Sequence, residues 1–237
     1  MPEKFQLFID IGNTRIKSGE RIGEVWSEIK NWSPEDLDGL KDIALKAERI
    51  IISAVSEANY NRLTSMLNRR YDTLNYEMLE KYISYNTPET LGIDRVLAAI
   101  GAWRLTGSAT VVIDAGTATT IDEVSVDGVF TGGVIMPGMQ ILEDGLSRQT
   151  DLPQVDRMIP GAWPPRSTRD ALRWGITGSY IAAVQAHLNR FKQHNPDLAV
   201  VITGGDGRWL YDLLDIRARV IPELVFHGMD YVADQLL

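Results

Sequence analysis

One short device occurs twice in this chain, once in each half. The apolar run Phe5-Gln6-Leu7-Phe8-Ile9 delivers Asp10-Ile11-Gly12-Asn13-Thr14, and Ala109-Thr110-Val111-Val112-Ile113 delivers Asp114-Ala115-Gly116-Thr117-Ala118. In each copy a buried strand ends on an aspartate, and a glycine lets the backbone turn with its N–H groups exposed. Successive N–H groups form a concavity suited to phosphate oxygens. The aspartate repels phosphate unless a metal ion, a catalytic water or another cation stands between them. Two facing copies therefore predict a nucleotide held in a cleft between two similar halves. No G-x-x-x-x-G-K-[ST] sequence occurs, which argues against a P-loop kinase.

Composition narrows the partners. A chain of 237 residues is long enough for one large domain or two of about 100–120 residues. Hydrophobic residues make up 44 % and charged residues 24 %, a balance that supports a packed core. The net charge of −8 argues against general nucleic-acid binding, which leans on basic patches. Any anionic substrate must then be drawn by local features rather than by the overall field. The absence of cysteine removes disulfides, thiolate metal sites and cysteine nucleophiles, and fits a reducing compartment. Met1-Pro2-Glu3-Lys4 leads directly into an apolar strand with no secretory signal, and no apolar run reaches membrane-spanning length. The expectation is a cytoplasmic protein with no membrane partner.

The pattern of elements is α/β. Phe5–Asp10, Arg15–Ser18 and Glu24–Ile29 read as strands, and Ser33-Pro34-Glu35 as a helix start. A buried strand at Arg49–Val55 and a helix at Asn59–Arg70 follow. Leu91-Gly92-Ile93-Asp94-Arg95 opens a helix with Val96, Leu97, Ile100 and Trp103 on its inner face. The second half repeats the theme: strands at Ala109–Asp114, Thr119–Val126 and Val129–Ile135, with Asp127-Gly128 as the tight turn. A helix is expected after Pro137 and a long one over Arg169–Gln193, where Gly175, Gly178 and Ser179 permit close approach by another helix. A strand at Leu198–Thr203 and a helix over Pro222–Leu237 complete the chain. The repeat sets the expected lobes at residues 1–107 and 108–237.

Meanders followed by helices in each half resemble the actin/Hsp70/sugar-kinase class, with two ribonuclease-H-like lobes and the active site in the cleft between them. More specific motifs follow in order: Tyr85-Asn86-Thr87-Pro88-Glu89-Thr90-Leu91-Gly92-Ile93-Asp94-Arg95, Asp114-Ala115-Gly116-Thr117-Ala118-Thr119-Thr120-Ile121-Asp122 and Gly132-Gly133-Val134-Ile135-Met136-Pro137-Gly138. Ser167-Thr168 and Thr203-Gly204-Gly205 come after them. This ordered set resembles the type III pantothenate kinases, ATP-dependent enzymes that begin coenzyme A synthesis, over nearly the whole chain. The resemblance implies the reaction ATP + pantothenate → ADP + 4′-phosphopantothenate, magnesium with the ATP, a monovalent cation (potassium or ammonium), and a homodimer with shared active sites.

Roles follow residue by residue. Asp10, Ile11, Gly12, Asn13, Thr14, Arg15, Ile16 and Lys17 form the first phosphate segment, with Asn13 and Thr14 as donors and Lys17 or Arg15 as charge. An ordinary hairpin with an Asx-type turn is the plainer alternative. Asp94 suits a general base that orients and deprotonates the attacking hydroxyl, though an aspartate there also suits a helix cap. The resemblance favours the catalytic role. Arg95 has the fork to clamp a carboxylate, with a surface pair to Glu89 as the alternative. Gly92 and Ile93 bring backbone to the acceptor, and Tyr85, with Tyr82 three residues earlier as its rival, matches a family substrate tyrosine. By resemblance, Thr117 contacts ATP phosphate, and Asp114 holds the monovalent cation, with ordering of water around magnesium as its alternative. Thr168, by the same resemblance, reaches the acceptor site of a partner subunit, with a helix N-cap as the plainer and compatible reading. Gly204 and Gly205 pass close to the adenosine, or form a simple strand-to-helix turn.

His187, His194 and His227 fall outside every motif and lack metal-ligand spacing. Trp103 and Trp174 read as packing residues. Two rival functions share these signals: another small-molecule kinase or phosphatase on the same fold, and a nucleotide-binding regulator. The presence of Gly92, Asp94, Arg95 and Thr168 together favours an acceptor-using kinase.

Overall fold

In the computed structural model, residues 4–236 are described; Met1-Pro2-Glu3 and Leu237 of the expected final helix lie outside them. The first strands are β1 (Gln6–Ile11), β2 (Ile16–Ile22), β3 (Val25–Trp26) and β4 (Lys30–Trp32), followed by α1 (Asp38–Ala44), β5 (Arg49–Ala54), α2 (Glu57–Met66), β6 (Asp72–Thr73), α3 (Tyr76–Leu79) and α4 (Ile93–Thr106). Then come β7 (Thr110–Ala115), β8 (Ala118–Val124), β9 (Phe130–Pro137), α5 (Met139–Gln149), α6 (Thr168–Arg173), α7 (Ser179–His194), β10 (Ala199–Thr203), α8 (Gly207–Leu213), β11 (Arg219–Val220) and α9 (Leu224–Leu236).

Two sheets form among the described residues. The first runs β3-β2-β1-β5-β6, with β4 also on β2, and the second runs β11-β10-β7-β8-β9. β1 pairs antiparallel with β2 and parallel with β5. Side chains on a strand alternate between faces, so β1 serves two layers. Leu7, Ile9 and Ile11 enter one core with Leu40 of α1 and Leu63 of α2. Phe8 takes the other face, edge-on to Trp26, whose indole stacks on Phe226 of α9.

The packing of α4 on α9 completes that second layer. A Cβ at Gly101 would strike the Leu224 carbonyl and come within 3.0 Å of the Gly228 nitrogen, and one at Gly228 would strike the Leu97 carbonyl. The two helices thus meet backbone to backbone through a pair of glycines.

The described residues cluster into two compact units that are not consecutive halves. One comprises the chain to Thr110, Val124–Gly132 and Ile221 onward; the other comprises Val111–Glu123 and Gly133–Val220. Helix α9 therefore belongs with the first unit, whereas chain order had grouped it with the second half.

Several local expectations change. The strand expected at Glu24–Ile29 shrinks to the two residues of β3, and β4 forms beyond it at Lys30–Trp32. Ser33 does not start a helix: its hydroxyl bonds the Glu35 carboxylate and its carbonyl accepts from Asp36 N–H at 3.0 Å, closing a turn, so α1 begins at Asp38. The long helix is α6 and α7 joined by a π turn at Trp174–Gly178. The short elements β6, α3, α8 and β11 escaped sequence reading.

Gly228→Ala is expected to destabilise the fold by about 1–3 kcal/mol through forced helix separation, despite alanine's helix-propensity gain of about 1 kcal/mol. Urea unfolding measures this, and an unchanged midpoint would show that the helices part freely.

Candidate active site

At the carboxyl end of β1, Asp10 lies on the face that Phe8 occupies. Its register partners are Ser53 on β5 and Lys17 on β2. The Ser53 hydroxyl donates to Asp10 Oδ1 at 3.0 Å, so this buried carboxylate is fixed in direction. The following turn is tied down from two sides. Gly12 N–H donates to the Arg15 carbonyl at 3.0 Å, and Asn59 Nδ2 of α2 donates to the carbonyls of Gly12 and Asn13 at 2.9 and 3.2 Å. Gly12 is not left-handed; a Cβ there would come within 2.9 Å of the Arg15 carbonyl, so closeness is what the turn requires of glycine. Asn13, Thr14 and Arg15 present exposed side chains. The side chains of Ile11 and Ile16 are wholly in the core, which leaves only their backbone to face a ligand.

Asp94 stands in the first turn of α4, capped by Gly92, which contributes no side chain to the cap. The backbone at Gly92 is ordinary, but a Cβ would collide with the Asp94 carboxylate. Glycine here makes room for the aspartate. Burial pushes the Asp94 carboxyl above the usual carboxylate range, opposed by the Arg95 N–H that donates to its Oδ1 at 2.9 Å and by the charges of Lys17 and Arg95. The influence of Lys17 on Asp94 puts the first turn's cation and the acceptor motif in one neighbourhood of the first unit. Tyr76 of α3 adjoins them: its phenol oxygen accepts from the Ile93 N–H, and burial, then the Asp94 charge, push its pKa up. Ile93 itself buries its side chain in the core.

Arg95 is buried, with its guanidinium 5.3 Å from the ring centre of Phe130. The Tyr85 ring meets the same Phe130 edge to face at 5.8 Å. Tyr82, its rival in the sequence, is buried against Tyr231, and burial first, then Tyr231, pushes its pKa up to about 12. Tyr85 is the half-exposed one of the two.

In the second unit, Asp114 is the penultimate residue of β7 and is half-buried. Gly204 has φ +91°, and a Cβ there would strike Asp114 Oδ1 and the Ala115 carbonyl. Gly205 is different: a Cβ would meet nothing within 4 Å. The Asp206 N–H donates to the Ala115 carbonyl at 3.0 Å, which locks the Gly204-Gly205 turn onto the Asp114 turn. Thr117 is exposed. Arg157, unmarked by any motif, bonds Asp206 at 2.7 Å and Glu143 at 2.8 Å and lies 5.5 Å from the Trp209 ring centre. Ser53, Asn59, Tyr76, Phe130, Arg157 and Asp206 were all missed in the sequence. Only Phe130, an aromatic opening the strand before Gly132-Gly133, carried a readable signal.

Thr168 is the first residue of α6, and its side chain is exposed. The cap is Ser167, whose hydroxyl accepts from Asp170 N–H at 3.2 Å, so helix capping does not explain Thr168. Among the described residues, no group of three or more His, Asp or Glu is arranged to hold a metal ion, and no helix is long and apolar enough to cross a membrane.

The profile of the type III pantothenate kinase family matches residues 6–190. The chain belongs to that family. A type III pantothenate kinase of Aromatoleum aromaticum is 31 % identical over 96 % of this chain and 97 % of its own length. Among solved structures, a conserved putative Baf family transcriptional activator from Campylobacter jejuni superposes with a TM-score of 0.69 at 22 % identity, covering 97 % of this chain and 98 % of that one. A putative 2-dehydro-3-deoxygalactonokinase from Sinorhizobium meliloti gives 0.62 at 13 % identity, covering 98 % and 99 %. At such identities the likeness shows the fold alone, and that fold is the actin-like ATPase fold expected from the order of elements.

The raised Asp94 pKa predicts a stability effect with a definite sign. A carboxyl whose folded-state pKa exceeds its unfolded value favours the fold while protonated, and that contribution is lost as pH rises through the folded-state pKa. Asp94→Asn cannot ionise. It is expected to melt above the wild type at pH 7, by about 2–4 °C for each kcal/mol of burial cost removed, with the gap closing once acid protonates both states. Coincident melting curves at pH 7 would show that the charge is not penalised.

Proposed function

We propose that this chain transfers the γ-phosphoryl group of ATP to pantothenate, giving ADP and 4′-phosphopantothenate. Family membership supports the reaction. The observation that carries the residue assignment is Asp94: a carboxylate raised in pKa by burial, fixed by the Arg95 N–H, and given its space by Gly92. A poised carboxylate of this kind aligns an acceptor hydroxyl and takes its proton as the phosphoryl group transfers. Lys17, whose charge acts on Asp94, supplies positive charge toward the phosphates. Arg95 clamps the pantothenate carboxylate with its planar fork, and Tyr85 lines the same acceptor site.

The first turn, Asp10 to Lys17, and the second, with Thr117, each hold phosphate oxygens, while Gly205 offers backbone without a side chain to the adenosine. Asp10 would hold magnesium, which when bound offsets the phosphates' negative charge. Asp114 fits a monovalent cation: it offers a half-buried carboxylate at a point where the chain keeps glycine, so no Cβ crowds its oxygen. Oxygen ligands suit such a hard ion. Its charge would offset the repulsion between Asp114 and ATP.

A homodimer with shared sites is part of this reading, supported by Thr168, which is exposed and not used as a cap. Gly175, at whose Cβ position nothing lies within 4 Å, leaves the adjoining helical surface open to a partner. The compartment that fits is the cytoplasm.

ADP production with and without pantothenate, in potassium and in sodium buffer, tests the reaction and the cation together. Turnover that needs pantothenate and rises with potassium is expected; ADP release without acceptor would point to a phosphatase. Asp94→Asn is expected to keep ATP binding and lose about 10²–10⁴-fold in kcat, and near-normal turnover would remove its role as base. Mixing that variant with Thr168→Arg is expected to recover activity that neither has alone, since a hybrid dimer rebuilds one intact site. No recovery would refute shared sites.

A further inference from the structure

We propose that Phe130 is a positioning residue that sets the affinity for the carboxylate end of the acceptor, by holding Arg95 and Tyr85 on one aromatic ring. This inference rests on the pantothenate reading above and assigns a role to a residue outside every motif of the acceptor site. Phe130 is 1 % exposed and opens β9. Its backbone is fastened to the segment before Tyr85: Ile83 bridges to it in parallel register, and Ser84 N–H donates to the Phe130 carbonyl at 2.9 Å. Its ring then meets both side chains. The Arg95 carbon Cζ lies 5.3 Å from the ring centre, and the Tyr85 ring lies 5.8 Å away at 70°. All these residues belong to the same compact unit.

The chemistry explains why an aromatic ring serves here. A ring face attracts a guanidinium through its quadrupole and meets the cation's plane, whereas the in-plane N–H fork is what recognises a carboxylate bidentately. An aliphatic residue would fill the volume but exert no pull on the charge. The edge-to-face contact with Tyr85 uses the same quadrupole in its preferred geometry. One buried ring therefore fixes the spacing between two groups that come from separate segments of the chain.

The test replaces Phe130 alone, by site-specific incorporation, with 4-fluoro-, 3,5-difluoro- and 3,4,5-trifluorophenylalanine. Fluorine drains the ring face while nearly preserving its shape, so the attraction for a cation weakens stepwise. The expected result is a pantothenate KM that climbs with each fluorine, to about tenfold at three, while the KM for ATP and the melting temperature hold and kcat moves less than KM. Phe130→Leu is expected to raise the pantothenate KM at least as far. A KM indifferent to fluorine, or one that rises for both substrates together, would overturn the proposal and leave Phe130 as packing. Wild-type enzyme without pantothenate-dependent turnover would instead overturn the functional reading, and this inference with it, and the unsubstituted protein reveals that case before any variant is made.

Discussion

The close crossing of α4 and α9 carries much of the first unit. Gly101 and Gly228 let two backbones approach to a distance that any side chain would prevent. Because α9 also seats Phe226 on Trp26 and Met229 against Ser53, it lies on the face of β1 that holds Asp10. Because α4 rests on α9, its first turn is held over the same sheet, and with it Asp94. Packing density fixes such positions firmly, since a core cannot deform continuously to take up a displaced helix. The placement of Asp94 thus depends on two glycines that touch no expected substrate residue.

Around that frame, glycine serves different purposes at different places. Gly92 yields space to a carboxylate, Gly12 to a carbonyl, and Gly204 combines a left-handed backbone with contact to Asp114. A motif regarded only as a flexible turn hides these differences. The second unit adds a polar lock, in which Arg157 gathers Glu143 and Asp206 and so braces the Gly204-Gly205 turn. Charged hydrogen bonds of this kind fix direction as well as proximity.

The cost of the site is visible in Asp94. Burial raises its pKa, so an ionised Asp94 costs the fold more than a neutral residue there would. Perturbed groups of this kind concentrate where proton transfer is needed. A second local arrangement is the aromatic ring of Phe130, which the Arg95 guanidinium and the Tyr85 ring both meet.

The repeated strand-aspartate-glycine device, the alternation of strands and helices, and the ordered motifs were legible in the sequence, because each is local: a run of apolar residues, a turn residue, a fixed spacing. That was enough for the fold class and the family, and it marked Asp94, Arg95 and Asp114. Which residues stand behind them was not legible. Asn59 bracing the first turn, Ser53 on Asp10, Tyr76 beside Asp94 and Phe130 beneath both Arg95 and Tyr85 come from segments far apart in the chain, and no periodicity encodes a contact between them. Even Ser33, which carried a good helix-start signal, instead closed a turn with Asp36. Local chemistry marked the candidate groups; only the packing of β1, α4 and α9, where side chains meet across long sequence separations, decided what holds Asp10 and Asp94 in place.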